Sequence, residues 1–489
     1  MDKIDVLKIL EFEKKYKVKE RNILGLNYWY CRRTKTLNDI IAIANNQQMM
    51  VDEEKIKKVR ILSNKNHINK KDKNIDILLI TDARRIKQEN KYESIYTDEI
   101  ERIVSNKYKC LTLEEPSWTS YVHMKDSHFY NCTTKNIKYV DNYELIAVIK
   151  NRLFKILAHR KMKIINEEIN NLLLDMREFF GLSFEIIKDN FIDHIIYFLT
   201  MKRTYSKIIE KINPKCICFF YRDFPFKTLI LMIAKEKNIP TIEMQHGSYV
   251  EDEPIEKKGD CKEEWKNIPD YLFSFGKFQT CKDNLVYKDN QIKYIGNLFL
   301  EKKTKEKQEN STEFENNIKY ILIISQSSMG EYISSFASKL SEILENTNYK
   351  IIYKFHPNES GRNYSNLNKD RIIQIKDNSE EIYKYQRISY CQIGISSTAI
   401  FEGISFQLPT FILKNPEEFS GIEKTLKKFK QGIYFVNNEE DVKSILENKL
   451  VKPNKSDIEM LWESNSKENF IKEISNIIEG RKEEKLVQK

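Results

Sequence analysis

The chain has 489 residues, enough for two or three domains, and its 40% hydrophobic content supports real cores. No apolar run reaches the ~20 residues of a bilayer-spanning helix, and the charged N-terminus lacks a signal core, so the sequence predicts a cytoplasmic protein. The net charge of +10 is carried mostly by lysines spread along the chain; it suits an anionic membrane surface or a phosphorylated substrate, and lacks the clustered basic and aromatic patch of a nucleic-acid binder.

Residues 1–70 read as helices and polar connections around Tyr28-Trp29-Tyr30. Residues 76–81 form a buried strand that ends in Asp82-Ala83-Arg84-Arg85. Residues 100–150 alternate short apolar and polar runs without a clear period. From 151 to 212 apolar residues recur at three-to-four spacing, which predicts a helical insertion that stops at Pro214. An α/β rhythm then begins. Strands are predicted at 216–221, 239–244, 270–275 and 293–295, and helices at 224–237 and from Phe278. The first strand runs into Arg222-Asp223, the second into Gln245-His246-Gly247 and the last into Gly296-Asn297. Residues 301–317 hold one apolar side chain, Phe314, and read as a linker. Beyond it, strands are predicted at 320–325, 350–355, 390–395 and 409–413, the last strong one, with helices at 331–344 and 398–406. From Ser456 the pattern reads as an amphipathic helix fading into a charged tail.

This divides the chain into an N-terminal α/β domain (1–300), a linker (301–317), a second α/β domain (318–455) and a C-terminal helix with tail (456–489). Eleven of the thirteen glycines lie from Gly247 onward, so the turn-rich, ligand-facing part falls in the second half. The eight cysteines are scattered without a CxxC pair and read as reduced thiols, with Cys216 and Cys218 on one side of a strand. No zinc site is predicted.

Strand carboxyl ends are where open α/β sheets bind ligands. Ser396-Ser397-Thr398 at a helix start can cap backbone N–H groups or present them to phosphate. Glu402, one turn on, could accept from ribose hydroxyls. His356 and Pro357 end a strand, with Lys354 facing the same way as a second phosphate candidate. Ser325 opens a loop of the type that contacts phosphate. His246, opposite these groups, suits a general base acting on an acceptor hydroxyl. Asp82, Arg84 and Arg222 are acceptor-side candidates, with Asp82 an alternative base, although a surface ion pair is the simpler reading of Asp82, Arg84 and Arg85.

The ordered series IPTIEMQHG, PDYLFSFGK, IKYIGN, ILIISQ, KFHP and GISSTAIFEGISFQLPTF resembles bacterial surface-polysaccharide transferases of the GT-B fold. It is similar to capsule Kdo-type and sialyl-type transferases and to CDP-glycerol glycerophosphotransferases; the non-hydrolysing UDP-GlcNAc 2-epimerases share parts of it. The resemblance covers about 215–415. It implies two Rossmann-like doubly wound domains facing across a cleft, with extra N-terminal helical elements. It implies a metal-independent enzyme with no cofactor and a CMP-, CDP- or UDP-linked donor. In this resemblance His356 and Ser396 to Thr398 hold the donor phosphate and His246 is the base. Two features depart from it. No acidic D/E-D/E-G motif occupies a matching place, and Ser248-Tyr249-Val250-Glu251 lack the Thr and Lys of the glycerophosphotransferases.

The sequence therefore predicts a glycosyltransferase that builds a capsule, lipopolysaccharide or related glycan on a glycan or lipid-linked acceptor, peripheral at the inner face of the membrane. A CDP-glycerol-type transferase and a 2-epimerase-like enzyme are the alternatives. A non-catalytic scaffold and a nucleic-acid-binding protein are more remote ones.

Overall fold

The computed structural model describes residues 6–44, 68–81, 85–88, 91–115, 132–220, 225–247, 268–279, 286–306, 317–359, 361–376, 382–414 and 421–487. Helices α1 (Val6–Lys15) and α2 (Tyr28–Ala44) open the chain. Strand β1 (Ile77–Thr81) precedes an antiparallel pair, β2 (Arg85–Gln88) and β3 (Lys91–Ser94), then α3 (Asp98–Val104), β4 (Cys110–Glu114) and β5 (Ile137–Tyr139). Three long helices follow: α4 (Asp141–Leu157), α5 (His159–Phe180) and α6 (Lys188–Ile212). The rhythm then runs β6 (Cys216–Phe220), α7 (Pro225–Glu236), β7 (Thr241–Met244), β8 (Tyr271–Ser274) and β9 (Ile292–Tyr294).

These strands make a seven-stranded sheet in the order β5-β4-β1-β6-β7-β8-β9, with every pairing parallel. The order reverses between β1 and β6, as in a doubly wound sheet. Such a sheet is covered on both faces, so its strands are continuous apolar runs. Alternate residues divide between the faces: Leu78, Ile80 and Phe219 join the core under α5, α6 and α7, while Ile77, Leu79, Cys216 and Cys218 face α3. The two cysteines lie on one side of β6, as expected.

The second unit begins with α8 (Leu298–Lys305), followed by β10 (Lys319–Ile324), α9 (Gly330–Ile343), β11 (Tyr349–Lys354), β12 (Ile372–Ile375), α10 (Ile382–Ile388), β13 (Cys391–Gly394), α11 (Thr398–Ser405) and β14 (Thr410–Leu413). It ends with α12 (Gly421–Leu426), β15 (Ile433–Val436), α13 (Glu439–Leu446), α14 (Lys455–Leu461) and α15 (Ser466–Val487). Its six parallel strands are ordered β12-β11-β10-β13-β14-β15, again reversing between the first and fourth. Helix α9 covers one face with α13; α10, α11 and α14 cover the other.

The structure departs from the sequence expectations in five places. Helix α4 starts at Asp141, ten residues before the expected insertion. Helix α8 occupies the start of the expected linker, because Phe299 and Leu300 are buried against the second domain. The helix expected from Phe278 begins as a short turn over Lys277–Gln279, and its continuation lies outside the described residues. β14 is not the last strand, since β15 pairs with it. The C-terminal segment stays helical to Val487 and crosses back, placing Phe470, Ile474, Ile477 and Ile478 in the core of the first sheet. Among the described residues no helix is long and apolar enough to cross a membrane.

Candidate active site

β7 ends at Met244, and Gln245 extends its ladder by donating its N–H to the Phe273 carbonyl (3.0 Å). The buried Gln245 side chain then shapes the turn. Its Oε1 accepts from Ser274 Oγ (2.8 Å) and the Phe275 N–H (2.7 Å), and its Nε2 donates to the Gly247 carbonyl (2.7 Å). With both ends of that amide engaged, the backbone carrying His246 is fixed at the carboxyl edge of the first sheet.

On the other side, β13 runs through Ile395-Ser396-Ser397 into α11. Ser397 is the N-cap, its Oγ accepting from the Ala399 N–H (3.3 Å). The Ser396 N–H donates to Gln326 Oε1 (2.7 Å), and Gln326 Nε2 donates to Ser396 Oγ (2.8 Å). This clasp ties the ends of β10 and β13 together at the point where the strand order reverses, which is the crevice that binds nucleotides in doubly wound sheets. The two halves meet closely: a Cβ on Gly247 would lie 3.7 Å from Thr398 Oγ1.

Between them is a cleft open to solvent. Gln245, His246, Asn297, Tyr383, Thr398 and Glu402 line it among apolar walls that include Phe220, Met244, Phe275 and Phe299. Apolar walls with a few convergent polar groups are the usual make-up of a small-molecule site. Burial pushes the Glu402 carboxyl up to about 7, and a hydrogen bond with Tyr383 offsets part of that rise. Near neutral pH this carboxyl can therefore donate a proton as well as accept one, beyond the acceptor role expected of it.

The remaining candidates fall into three groups. His356, part-buried, stands at the end of β11. Its backbone N–H donates to Glu359 Oε2 (2.8 Å), and Glu359 in turn accepts from the Tyr364 hydroxyl (2.7 Å). Burial lowers the His356 pKa while the Glu359 charge opposes that shift, so the ring is neutral at pH 7 and still has one N–H to donate. Lys354 and Ser325 are buried. Ser325 differs from its expected role in phosphate contact, because its hydroxyl is hydrogen-bonded to that of Tyr353 (2.9 Å) in the core. Asp82, Arg84 and Arg222 lie outside the described residues. Arg85 is not in a surface ion pair; it is buried against Glu114 and Thr134.

The sequence reading missed Gln245, Gln326, Tyr383 and Asn297 as site residues. The two glutamines share a legible signal, an amide within two residues of a strand end and before a turn. Tyr383 sits on a helix too short to show a period, and Asn297 caps α8 through the Leu300 N–H (3.1 Å). Among the described residues no three His, Cys, Asp or Glu side chains gather into a metal-binding cluster.

No family model and no curated protein matches this chain. Among solved structures, a UDP-GlcNAc 2-epimerase from Methanocaldococcus jannaschii is similar with a TM-score of 0.50 at 13% identity, over 82% of this chain and 99% of its own. A UDP-N-acetylglucosamine 2-epimerase from Rickettsia bellii gives 0.47 at 14% identity, over 83% and 97%. The glycotransferase of kitacinnamycin gives 0.43 at 8% identity, over 83% and 95%. At such identities the likeness is one of fold: two Rossmann-like domains facing across a cleft in the GT-B manner, with additional N-terminal helices in this chain.

Proposed function

We propose that this chain is an enzyme that acts on a nucleotide-activated sugar, with the nucleotide on the second domain and the sugar in the cleft. The observation that carries this reading is the meeting of the His246 turn with the start of α11. A titratable side chain there faces backbone N–H groups and a helix dipole that suit phosphate. As the bond between the sugar carbon and the phosphate oxygen breaks, negative charge builds on the departing phosphate. In this reading the α11 amides and the neutral His356 ring stabilise it.

Two reactions fit this substrate. In glycosyl transfer, His246 takes the proton of an acceptor hydroxyl, whose oxygen attacks the sugar carbon. The ordered motifs support this reading, with a capsule, lipopolysaccharide or related glycan, or a CDP-glycerol-type polymer, as the product. In epimerisation, a proton leaves one face of the sugar carbon next to the anomeric one as the phosphate departs, and a proton returns on the other face as the same carbon–phosphate bond re-forms. That needs two proton-transfer groups, and His246 and Glu402 come from opposite walls. The likeness to a UDP-GlcNAc 2-epimerase, which extends over nearly the whole of that protein, favours this second reading over the first.

The test is to incubate the full chain with UDP-, CDP- and CMP-sugars in deuterated water, with and without a membrane-extract acceptor. Epimerisation gives a deuterated epimer from donor alone; transfer releases nucleotide only when acceptor is present. No conversion of any donor under either condition would overturn the proposal. In both reactions His246→Ala is expected to lower turnover by about 100-fold or more while nucleotide affinity stays within a few-fold. Lost affinity with a normal single-turnover rate would remove His246 from the chemistry.

A further inference from the structure

The helical path breaks at Ala158 (φ −98°, ψ 49°) between α4 and α5, and this elbow carries apolar side chains on its outer surface. Ile149, Leu153, Ile156 and Leu157 are 53%, 50%, 55% and 73% exposed, and Ile146 and Ile164 extend the patch on either side. The spacing of 146, 149, 153 and 156 keeps these residues on one helix face. A contiguous exposed apolar surface of this kind marks an interaction site.

Its charge identifies the partner. Residues 145–166 contain six Lys or Arg and no Asp or Glu. Arg152, Arg160 and Lys161 are exposed beside the apolar residues, while Lys155 and Lys163 pair with Asp193 and Glu167. Large apolar side chains ringed by cations match the boundary of an anionic bilayer, where the chains enter the headgroup region and the cations meet phosphates. A second copy of this surface would set the same cations against each other.

The elbow also lies on the side of the molecule that holds the site. Helix α4 runs antiparallel to α6. Near its start Glu144 accepts from the Tyr197 and Tyr205 hydroxyls (2.6 Å each), and near its end Lys155 meets Asp193 (2.5 Å). Helix α6 finishes at the amino edge of the first sheet, where the Ile75 N–H donates to the Ile212 carbonyl (3.4 Å). At about 37 Å it is far longer than the roughly 17 Å of β6. Its first turns, with the elbow attached, therefore extend past the carboxyl edge, the edge that carries His246.

We propose that the α4–α5 elbow docks the protein on an anionic membrane surface with the cleft side toward the bilayer. This inference is independent of which reaction the cleft performs. The experiment is flotation of the full chain with vesicles of phosphatidylcholine alone or mixed with phosphatidylglycerol. The wild type is expected to float with the mixed vesicles only, and to release as salt rises from 0.1 to 0.5 M. The triple variant Leu153→Ser/Ile156→Ser/Leu157→Ser, which alters exposed positions only, should stay soluble and lose flotation. The variant Arg160→Gln/Lys161→Gln should lower partition about fivefold per residue removed. Flotation unaffected by either variant would overturn the proposal, as would no flotation of the wild type. A wild-type dimer in light scattering that the triple variant converts to monomer would also overturn it, assigning the face to a second copy.

Discussion

At Glu402 the fold sets the ionisation of a side chain that faces the cleft. Burial raises its carboxyl from an ordinary 4.5 to about 7, so the folded state prefers the protonated form. The linked stability is fully present below pH 4.5 and is lost as pH rises through 7. Glu402→Gln removes that loss, so its stability advantage over the wild type, read as a higher thermal midpoint, should be absent at pH 4.5 and reach about 1–3 kcal/mol at pH 8. Parallel midpoints from pH 4.5 to 8 would contradict this. Where Glu402 sits, one turn into a helix after a serine motif, is legible in the sequence. Its proton is not, because that depends on Tyr383 and on a wall contributed by the other domain. Gly403 is a second residue whose role appears only in three dimensions. A Cβ there would lie 2.0 Å from Gln392 Oε1, and that amide already donates to the Ile400 carbonyl and Thr410 Oγ1. Gly403→Ala should therefore lift α11 from β13 and destabilise the protein by about 1–3 kcal/mol in urea titration, with a matching loss of nucleotide affinity.

Among the elements, the α4–α6 pair shows how a polar group can lock two helices. Glu144 is held by Tyr197 and Tyr205, and burial raises its carboxyl pKa. Replacing it by Leu leaves two buried hydroxyls without that acceptor. Glu144→Leu is expected to cost about 2–4 kcal/mol in chemical denaturation, whereas Glu144→Gln, which keeps an acceptor, should cost less. Equal costs would show that packing rather than hydrogen bonding holds the pair. The start of α4 escaped the sequence reading for a physical reason: with Ile146, Ile149 and Leu153 on the outside and Ala147 and Phe154 inward, apolar residues occupy both faces and the helical period blurs. By contrast α6 is bounded clearly, since Asn213 takes the left-handed conformation that closes a helix and Pro214 follows. The edge strands β12 and β15 are hard to read because they are only four residues long and partly buried, and so short an apolar stretch as Ile433 to Val436 does not separate a strand from a helical turn.

For the whole molecule, the two doubly wound sheets are legible as a rhythm of apolar runs and helical periods, but the way they are joined is not. The return of α15 to the first sheet is a long-range contact, with Phe470 edge-on to Phe273 at 5.8 Å between ring centres. It is secured where the Glu463 N–H donates to the Phe275 carbonyl (2.7 Å) and where Gly296, at φ +80°, leaves no room for a Cβ beside the Glu463 carbonyl. Phe470→Ala should cost about 3–5 kcal/mol and expose the first domain to proteolysis before the second; simultaneous cleavage of both would argue against this anchoring role. The same joining brings the Gly247 turn to Thr398, and the functional account depends on that contact. The most direct measurement is a thermal-shift and calorimetric titration of UDP, CDP and CMP into the wild type and Thr398→Glu. A carboxylate at the first position of α11 favours the helix and occupies the place of the phosphate. The account predicts that one nucleotide stabilises the wild type, by about 2.7 kcal/mol at a hundredfold excess over Kd, and that Thr398→Glu folds as well but loses the response. A wild type that responds to no nucleotide, or a Thr398→Glu protein that binds as tightly, would contradict it.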